Sequence, residues 1–287
     1  MNDMTLAFDL EIVNMSDVGK RRPHNEDSTV SDIQNGLVVL ADGMGGYKSG
    51  EVASAIAVTT ILHDVTADIR SHQPPKSRKK SLDTRHPDHE SALIKNSINH
   101  ANSNIYNMAR KDAQCQGMGT TVVTGLFHDD MVSVGHVGDS RMYRLRGGNL
   151  QQITKDHSLI QELIDRKLYT PEEAYAKMPK NLVTRGLGLD IAVEVDIIEE
   201  KLLPEDIYLM CSDGLNDMVN DEEIHLTLSK YSANLVQAAT SLIQLANNKG
   251  GKDNISVVLV RVKNKVPKPS INGLFNKLLN RFTEARG

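Results

Sequence analysis

The sequence is poor in the features that mark several large protein classes. It has two cysteines, Cys115 and Cys211, too few for a disulfide framework and consistent with a reducing compartment. Cys211 lies inside an apolar run and reads as a small core residue rather than a nucleophile. No apolar stretch approaches the roughly 18–20 uninterrupted residues of a membrane span. Met1 to Val18 lacks the basic start and apolar centre of a signal peptide, so a cytoplasmic location is expected. The net charge of −4 is mild and argues against a general nucleic-acid binder. There is no internal repeat and no His/Cys cluster with zinc spacing. What remains is a chain of 287 residues, 39% apolar and 24% charged. That composition suits a soluble globular protein, and the length is within range for one sheet-rich domain.

Short apolar runs rich in β-branched residues predict buried strands at Leu37 to Ala41, Thr121 to Phe127, Met131 to Val137, Ile207 to Cys211 and Ile255 to Val262. Asp129-Asp130 predicts a hairpin turn. Two long helices are predicted. Gly50 to Ile69 carries Val52, Ala55, Ile56 and Leu62 at helical spacing, and Ser91 to Arg110 carries Ile94, Ile98, Ala101, Ile105 and Met108 on one stripe. Later helices are predicted at Asp221 to Leu228 and Asn234 to Asn248. This order implies an α+β fold with helices packed outside an antiparallel or mixed sheet system. Three segments read as peripheral: the polar, basic loop of about 70–90, the segment 156–185 (helical at first, then irregular around Pro179), and the tail beyond Lys263.

Four aspartates share a local context, each where an apolar run starts or stops: Asp42, Asp139, Asp213 and Asp253. Several strands ending together would cluster these carboxylates, which repel without a counter-charge. A hard divalent cation such as Mg²⁺, Mn²⁺ or Ca²⁺ supplies one through oxygen ligands. An Asp-Gly pair is also an ordinary turn signal, and the pattern alone leaves both readings open. Gly43-Met44-Gly45-Gly46 allows close approach of backbone to an ion or phosphate. It lacks the Lys-Ser/Thr of a P-loop and the spacing of a dinucleotide fingerprint. Upstream, Arg22 stands near Glu26 and Asp27. Its guanidinium suits either a grip on phosphate or a surface ion pair.

Taken in order, these motifs resemble the metal-dependent Ser/Thr protein phosphatases (the PPM or type 2C family), specifically its bacterial members. The matching stretches are RPHNEDS (22–28), ADGMGGYKSGEVAS (41–54), GMGTTV (117–122), VGDSR (137–141), TKDHSLI (154–160), NLVTRGLG (181–188), SDGL (212–215) and GKDNIS (251–256). They span about residue 20 to 262.

The resemblance implies two packed antiparallel β-sheets flanked by helices, an α-β-β-α sandwich with a metal site at one rim. The phosphatase domain would occupy 1–262, with a flap at about 156–185 and a mobile loop at about 70–90. A basic linker and amphipathic tail would follow at 263–287. The implied cofactors are two Mn²⁺ or Mg²⁺ ions, with a weaker third site. Asp42 would bridge both metals, Gly43 would give its carbonyl to one, and Asp213 and Asp253 would bind the other. Asp139, with Asp213, would hold the third. Glu26 and Asp27 would hold metal-bound waters, Asn254 would support Asp253, and Arg22 would grip the phosphate. The implied reaction is hydrolysis of phosphoserine or phosphothreonine in proteins by a metal-bridged hydroxide, opposing a Ser/Thr kinase in bacterial signalling.

Two positions depart from the family pattern. Tyr47 stands where many bacterial members have His, and Met44 stands where the animal enzymes have the His proposed as leaving-group acid. A metal-bound water is the acid expected instead. Two other readings compete with the enzyme, a weakly catalytic regulatory module and a Ca²⁺-binding structural protein. The retained carboxylate set favours the enzyme. The implied partners are phosphoproteins and a cognate kinase, not nucleic acid. In the tail, Ile271, Leu274, Phe275, Leu278, Leu279 and Phe282 share one helical face, which suits a membrane surface, a partner, or the chain's own domain.

Overall fold

The computed structural model describes residues 8–45, 49–71, 89–179 and 182–264. Eleven strands form two antiparallel sheets. In the first lie β1 (Phe8–Asp17), β11 (Ile255–Asn264), β10 (Ile207–Cys211), β7 (Arg141–Arg146) and β8 (Asn149–Gln152), in that spatial order. The second runs β2 (Asp27–Asp32), β3 (Leu37–Met44), β5 (Val122–His128), β6 (Met131–Val137) and β9 (Asp196–Lys201), with β4 (Gly119–Thr120) paired to β3. Asp129 turns between β5 and β6 at a positive φ of 42°, as the hairpin signal predicts.

Both sheets are covered on both faces, which is why their central strands are almost wholly apolar rather than alternating. Successive side chains on a strand point to opposite faces. Leu37, Val39 and Ala41 therefore meet helices α1 (Ser49–Ser71) and α2 (His89–Lys111), while Val38 and Leu40 point between the sheets. In the other sheet Leu209, Val257 and Leu259 pack under α7 (Leu235–Asn248), and Tyr208, Met210, Val258 and Val260 face inward. Phe127 and Tyr208 meet edge to face across the sandwich, with ring centroids 5.5 Å apart. The architecture is the α-β-β-α sandwich that the resemblance implies.

The helices corrected two expectations. On α1 the buried face is Ala53, Ala57, Ile61 and Val65, whereas Val52 and Ala55 are exposed and Ile56 and Leu62 half-buried. Ala53 and Ala57 let the first turns of α1 lie close on β3, and Ile61 and Val65 continue that face. By length and composition α1 is apolar enough to cross a membrane, and here it is a core helix. On α2 the stripe holds from Ile94 to Ile105, but Met108 near its end is exposed.

Segment 156–185 follows its reading. Two short helices, α3 (Leu159–Asp165) and α4 (Pro171–Lys177), come first, and among the described residues no helix follows at Pro179. Thr170 caps α4 in a reciprocal capping box with Glu173, and Pro171 follows at the first helical position. β11 runs to Asn264, so Lys263 belongs to the sheet and pairs with Glu11 rather than opening the tail. Most of loop 70–90, Tyr47, Asn181 and the tail face at 271–282 lie outside the described residues.

Candidate metal and phosphate site

The site sits at one rim of the sandwich, where strands from both sheets deliver acidic side chains. Asp42 lies inside β3 rather than at its end, directly opposite Asp27 on β2. Two threonines fix its backbone. The Asp42 N–H donates to Thr121 Oγ1 at 3.1 Å, and the Asp42 carbonyl accepts from Thr121 N–H at 2.9 Å and Thr120 Oγ1 at 2.8 Å. From the other sheet, β10 ends at Cys211. Ser212 then opens the four-residue helix α5 (Asp213–Asn216), whose first residue is Asp213. Asp253 precedes β11, and Asp139 follows β6.

Ser212 joins the two sheets at this rim. Its hydroxyl donates to Asp27 Oδ2 at 2.8 Å and accepts from Ser256 N–H at 3.0 Å. Asn254, which the resemblance places in support of Asp253, stitches the N-terminal turn to β11. Its Oδ1 accepts from Glu26 N–H at 2.8 Å, and its Nδ2 donates to the Val18 and His24 carbonyls at 3.0 and 2.9 Å.

The electrostatics show how close the acids are. Burial raises the Asp42 carboxyl well above its ordinary range, and the charges of Asp27, Asp213, Asp139 and Asp253 raise it further. Asp213 is raised likewise, by burial and then by Asp139 and Asp253. Asp27 and Asp139 are each pushed up to about 6, again chiefly by burial. Glu26 is raised by burial. Asp27 Oδ1 is buried with no hydrogen-bond partner. Carboxylates held together with an unpaired oxygen fit a hard divalent cation bound through oxygen.

Gly43 follows Asp42 in a space no side chain could share. A Cβ there would lie 2.2 Å from the Gly50 carbonyl oxygen and 2.5 Å from that of Glu26. Arg22 is half exposed, and its guanidinium donates to Asp253 Oδ2 at 2.6 Å, which raises its already high pKa. All the sequence-chosen acids and Arg22 thus share one rim.

The sequence reading missed several contributors. Asp217 joins Asp139 and Asp213 in lining a small cavity, whose other walls include Ser158, Ile160 and Tyr175 of the 156–185 segment. Asp156 clamps Arg141 through paired hydrogen bonds of 2.7–3.0 Å. His157 exchanges two bonds with Gly138, beside Asp139: its N–H donates to the Gly138 carbonyl at 2.9 Å, and its Nδ1 accepts from Gly138 N–H at 3.0 Å. Asp156, Arg141, His157 and Gly138 stand in the matched motifs and Asp217 just beyond one, but nothing in their spacing shows which neighbours they meet.

The buried His136 and His157 form a separate group with the part-exposed Asp196. The two rings are stacked, 4.5 Å apart and 21° from parallel, so their in-plane lone pairs do not converge on one ion. Asp196 instead faces His157 Nε2 at 3.2 Å and Arg185 at 2.9 Å. Burial pushes His157 down to about 4, so it is neutral near pH 7.

Comparison with known proteins gives a consistent set of similarities. The sequence model of the family described as protein phosphatase 2C matches residues 20–250. The Ser/Thr protein phosphatase PstP of Mycobacterium tuberculosis is 36% identical over 247 residues, 86% of this chain. The chain spans 44% of the length of that relative. The Ser/Thr phosphatase stp of Listeria welshimeri is 35% identical over 248 residues, 85% of this chain and 93% of its own length. Among solved structures, the PstP catalytic domain in complex with two manganese ions superimposes with a TM-score of 0.73 at 35% identity, covering 88% of this chain and 98% of that one.

Proposed function

The chain belongs to the protein phosphatase 2C family, and on that premise we propose that it hydrolyses phosphoserine and phosphothreonine in proteins with Mn²⁺ or Mg²⁺. The observation that carries this reading is the convergence of Asp42, Asp213, Asp253, Asp139 and Asp27 beside the Arg22 guanidinium. Asp42, Asp213 and Asp253 would hold two ions, helped by the Gly43 carbonyl, and Asp139 with Asp213 would offer a third position. When bound, the ions neutralise this charge and lower the pKa of water toward neutral, which supplies a nucleophile.

The protein's own groups do the rest. Asp27 and Glu26 accept hydrogen bonds from ordered water around the cluster. Arg22 turns from Asp253 to the phosphate and stabilises the charge that builds on its equatorial oxygens in the transition state. Its half exposure leaves room for that turn. Met44 carries no proton to give, so water protonates the leaving Ser or Thr oxygen. Cys211 is fully buried, with its thiol pushed up to about 12 by burial, and takes no part as a nucleophile.

The finer reading sets the enzyme against a cognate Ser/Thr kinase in bacterial signalling, in the cytoplasm, where two free buried cysteines are at home. The 156–185 segment, which borders the Asp139–Asp213 cavity, acts as the flap that governs substrate choice. Residues 271–282 are reserved for a partner or membrane surface.

The test is phosphate release from a phosphothreonine peptide with Mn²⁺. Asp213→Ala is expected to cut kcat/KM on the order of 10²-fold or more. An inactive wild-type protein, or an Asp213→Ala variant as active as wild type, overturns the proposal.

A further inference from the structure

Beside Arg22 the chain makes a tight, rigid turn whose cations have no internal use. The Lys20 N–H donates to the Gly251 carbonyl at 2.7 Å. Gly19 takes a φ of 77°, and a Cβ there would lie 2.2 Å from the Asp253 carbonyl oxygen. The turn is therefore pressed onto the 251–253 segment, and the Lys20 stem lies over Gly251. Lys20, Arg21, Arg22 and Lys252 are all exposed along this one lip. Arg22 is paired with Asp253. Lys20, Arg21 and Lys252 have no side-chain ion pair or hydrogen bond among the described residues. Elsewhere among the described residues most basic side chains are tied to acids, as Arg141, Arg144, Arg146, Arg185 and Arg261 are.

Like charges on one lip repel one another, and none of these three is committed to an ion pair among the described residues. Their position gives them a use. They flank the group that grips phosphate, and their fields reach roughly a Debye length of 8–10 Å at moderate salt, about three residues of extended peptide. The lip is one turn wide, too small for a nucleic acid and matched to a few residues of peptide.

We propose that Lys20, Arg21 and Lys252 form a docking lip that selects phosphopeptides bearing acidic residues or a second phosphate next to the phosphorylated Ser or Thr. This rests on the phosphatase reading and names its substrate class. The contacts are exposed, so each opposite-charge pair is worth up to about fivefold, and the effect falls on KM and weakens with salt.

The experiment uses the full-length Mn²⁺-loaded protein and three phosphothreonine peptides that differ only in their flanks: Asp/Glu, Ala, or Lys. Wild type is expected to show kcat/KM about tenfold higher for the acidic than for the Ala-flanked peptide, carried by KM and collapsing at 0.5 M NaCl. The double variant Lys20→Glu, Lys252→Glu is expected to erase or reverse that order. It should leave kcat for p-nitrophenyl phosphate and for the Ala-flanked peptide within about twofold of wild type, and raise KM for both by the same factor, smaller than the rise for the acidic peptide. Equal kcat/KM for the acidic and Ala-flanked peptides in wild type, or a preference that survives the double variant, overturns the lip. Failure to hydrolyse any of the peptides sinks the phosphatase reading, and the lip with it.

Discussion

At the residue scale, the acids depend on neighbours that carry no chemistry of their own. Thr120 and Thr121 fix the Asp42 backbone, and Ser212 bonds Asp27 while accepting from Ser256. Gly43 is the most constrained of these supports. Gly43→Ala would drive a methyl group to 2.2 Å from the Gly50 oxygen and 2.5 Å from the Glu26 oxygen, both backbone atoms that cannot rotate away. The start of α1 or the Glu26 turn has to move. The variant is expected to lose stability by about 1–3 kcal/mol and to bind Mn²⁺ more weakly. Differential scanning calorimetry and Mn²⁺ titration check this, and an unchanged Tm with unchanged affinity would contradict the packing described.

At the scale of the element, α1 shows how tertiary packing overrides residue type. A helix carrying Val52, Ile56, Ile61, Leu62 and Val65 has more apolar surface than one sheet can cover. The face that wins is the one with Ala53 and Ala57, because small residues bring the helix axis close to β3. Ile61 is fully buried and Val52 is 36% exposed. Ile61→Ala is therefore expected to cost about 2–5 kcal/mol, and Val52→Ala no more than about 0.5 kcal/mol. Urea denaturation separates the two, and equal losses would restore the stripe drawn from the sequence. His157 does comparable work at the base of the 156–185 segment. Its bonds reach Gly138, and its carbonyl accepts from Thr184 N–H at 2.8 Å, so one residue ties both ends of that segment to the turn bearing Asp139.

For the whole molecule, the two sheets meet along one interior and leave their shared cost at one rim. Without metal, the clustered carboxylates oppose folding. Asp27 and Asp139 are raised from an ordinary 3.8 to about 6. A raised folded-state pKa means that the folded protein binds protons more tightly than the unfolded chain. The resulting stability is fully present below pH 3.8 and is lost as pH rises through about 6. Buried neutral His157 and His136 pull the other way over this range, since the unfolded chain protonates them at low pH. The carboxylate effect is therefore read against the Asp27→Asn, Asp139→Asn variant: on going from pH 7.5 to pH 5.5, EDTA-treated wild type is expected to gain several degrees of Tm relative to that variant. Saturating Mn²⁺ should raise Tm at pH 7.5 and flatten or invert this difference, because metal then replaces the protons. A metal-free pH response that is the same in wild type and in the variant would refute the account.

Much of the architecture was legible in the chain itself. Both-face burial makes the central strands continuous apolar runs, so β3, β5, β6, β10 and β11 stood out. β1, β2, β7, β8 and β9 did not. They mix polar and charged residues with apolar ones, as in FDLEIVNMSD and RMYRLR, and lie at edges or half-buried positions. The sequence by itself determined which charged residues share a context, Asp42, Asp139, Asp213 and Asp253, with Arg22, in motifs that resemble one enzyme family. Only the tertiary structure decided that strands from two different sheets bring these acids to one rim. It also decided that Asp27 keeps an unpaired buried oxygen there. The reason is physical. Charge and residue type are local properties that a sequence states outright. Burial and carboxylate proximity arise between residues as far apart as Asp27 and Asp253, and exist only once the two sheets have packed.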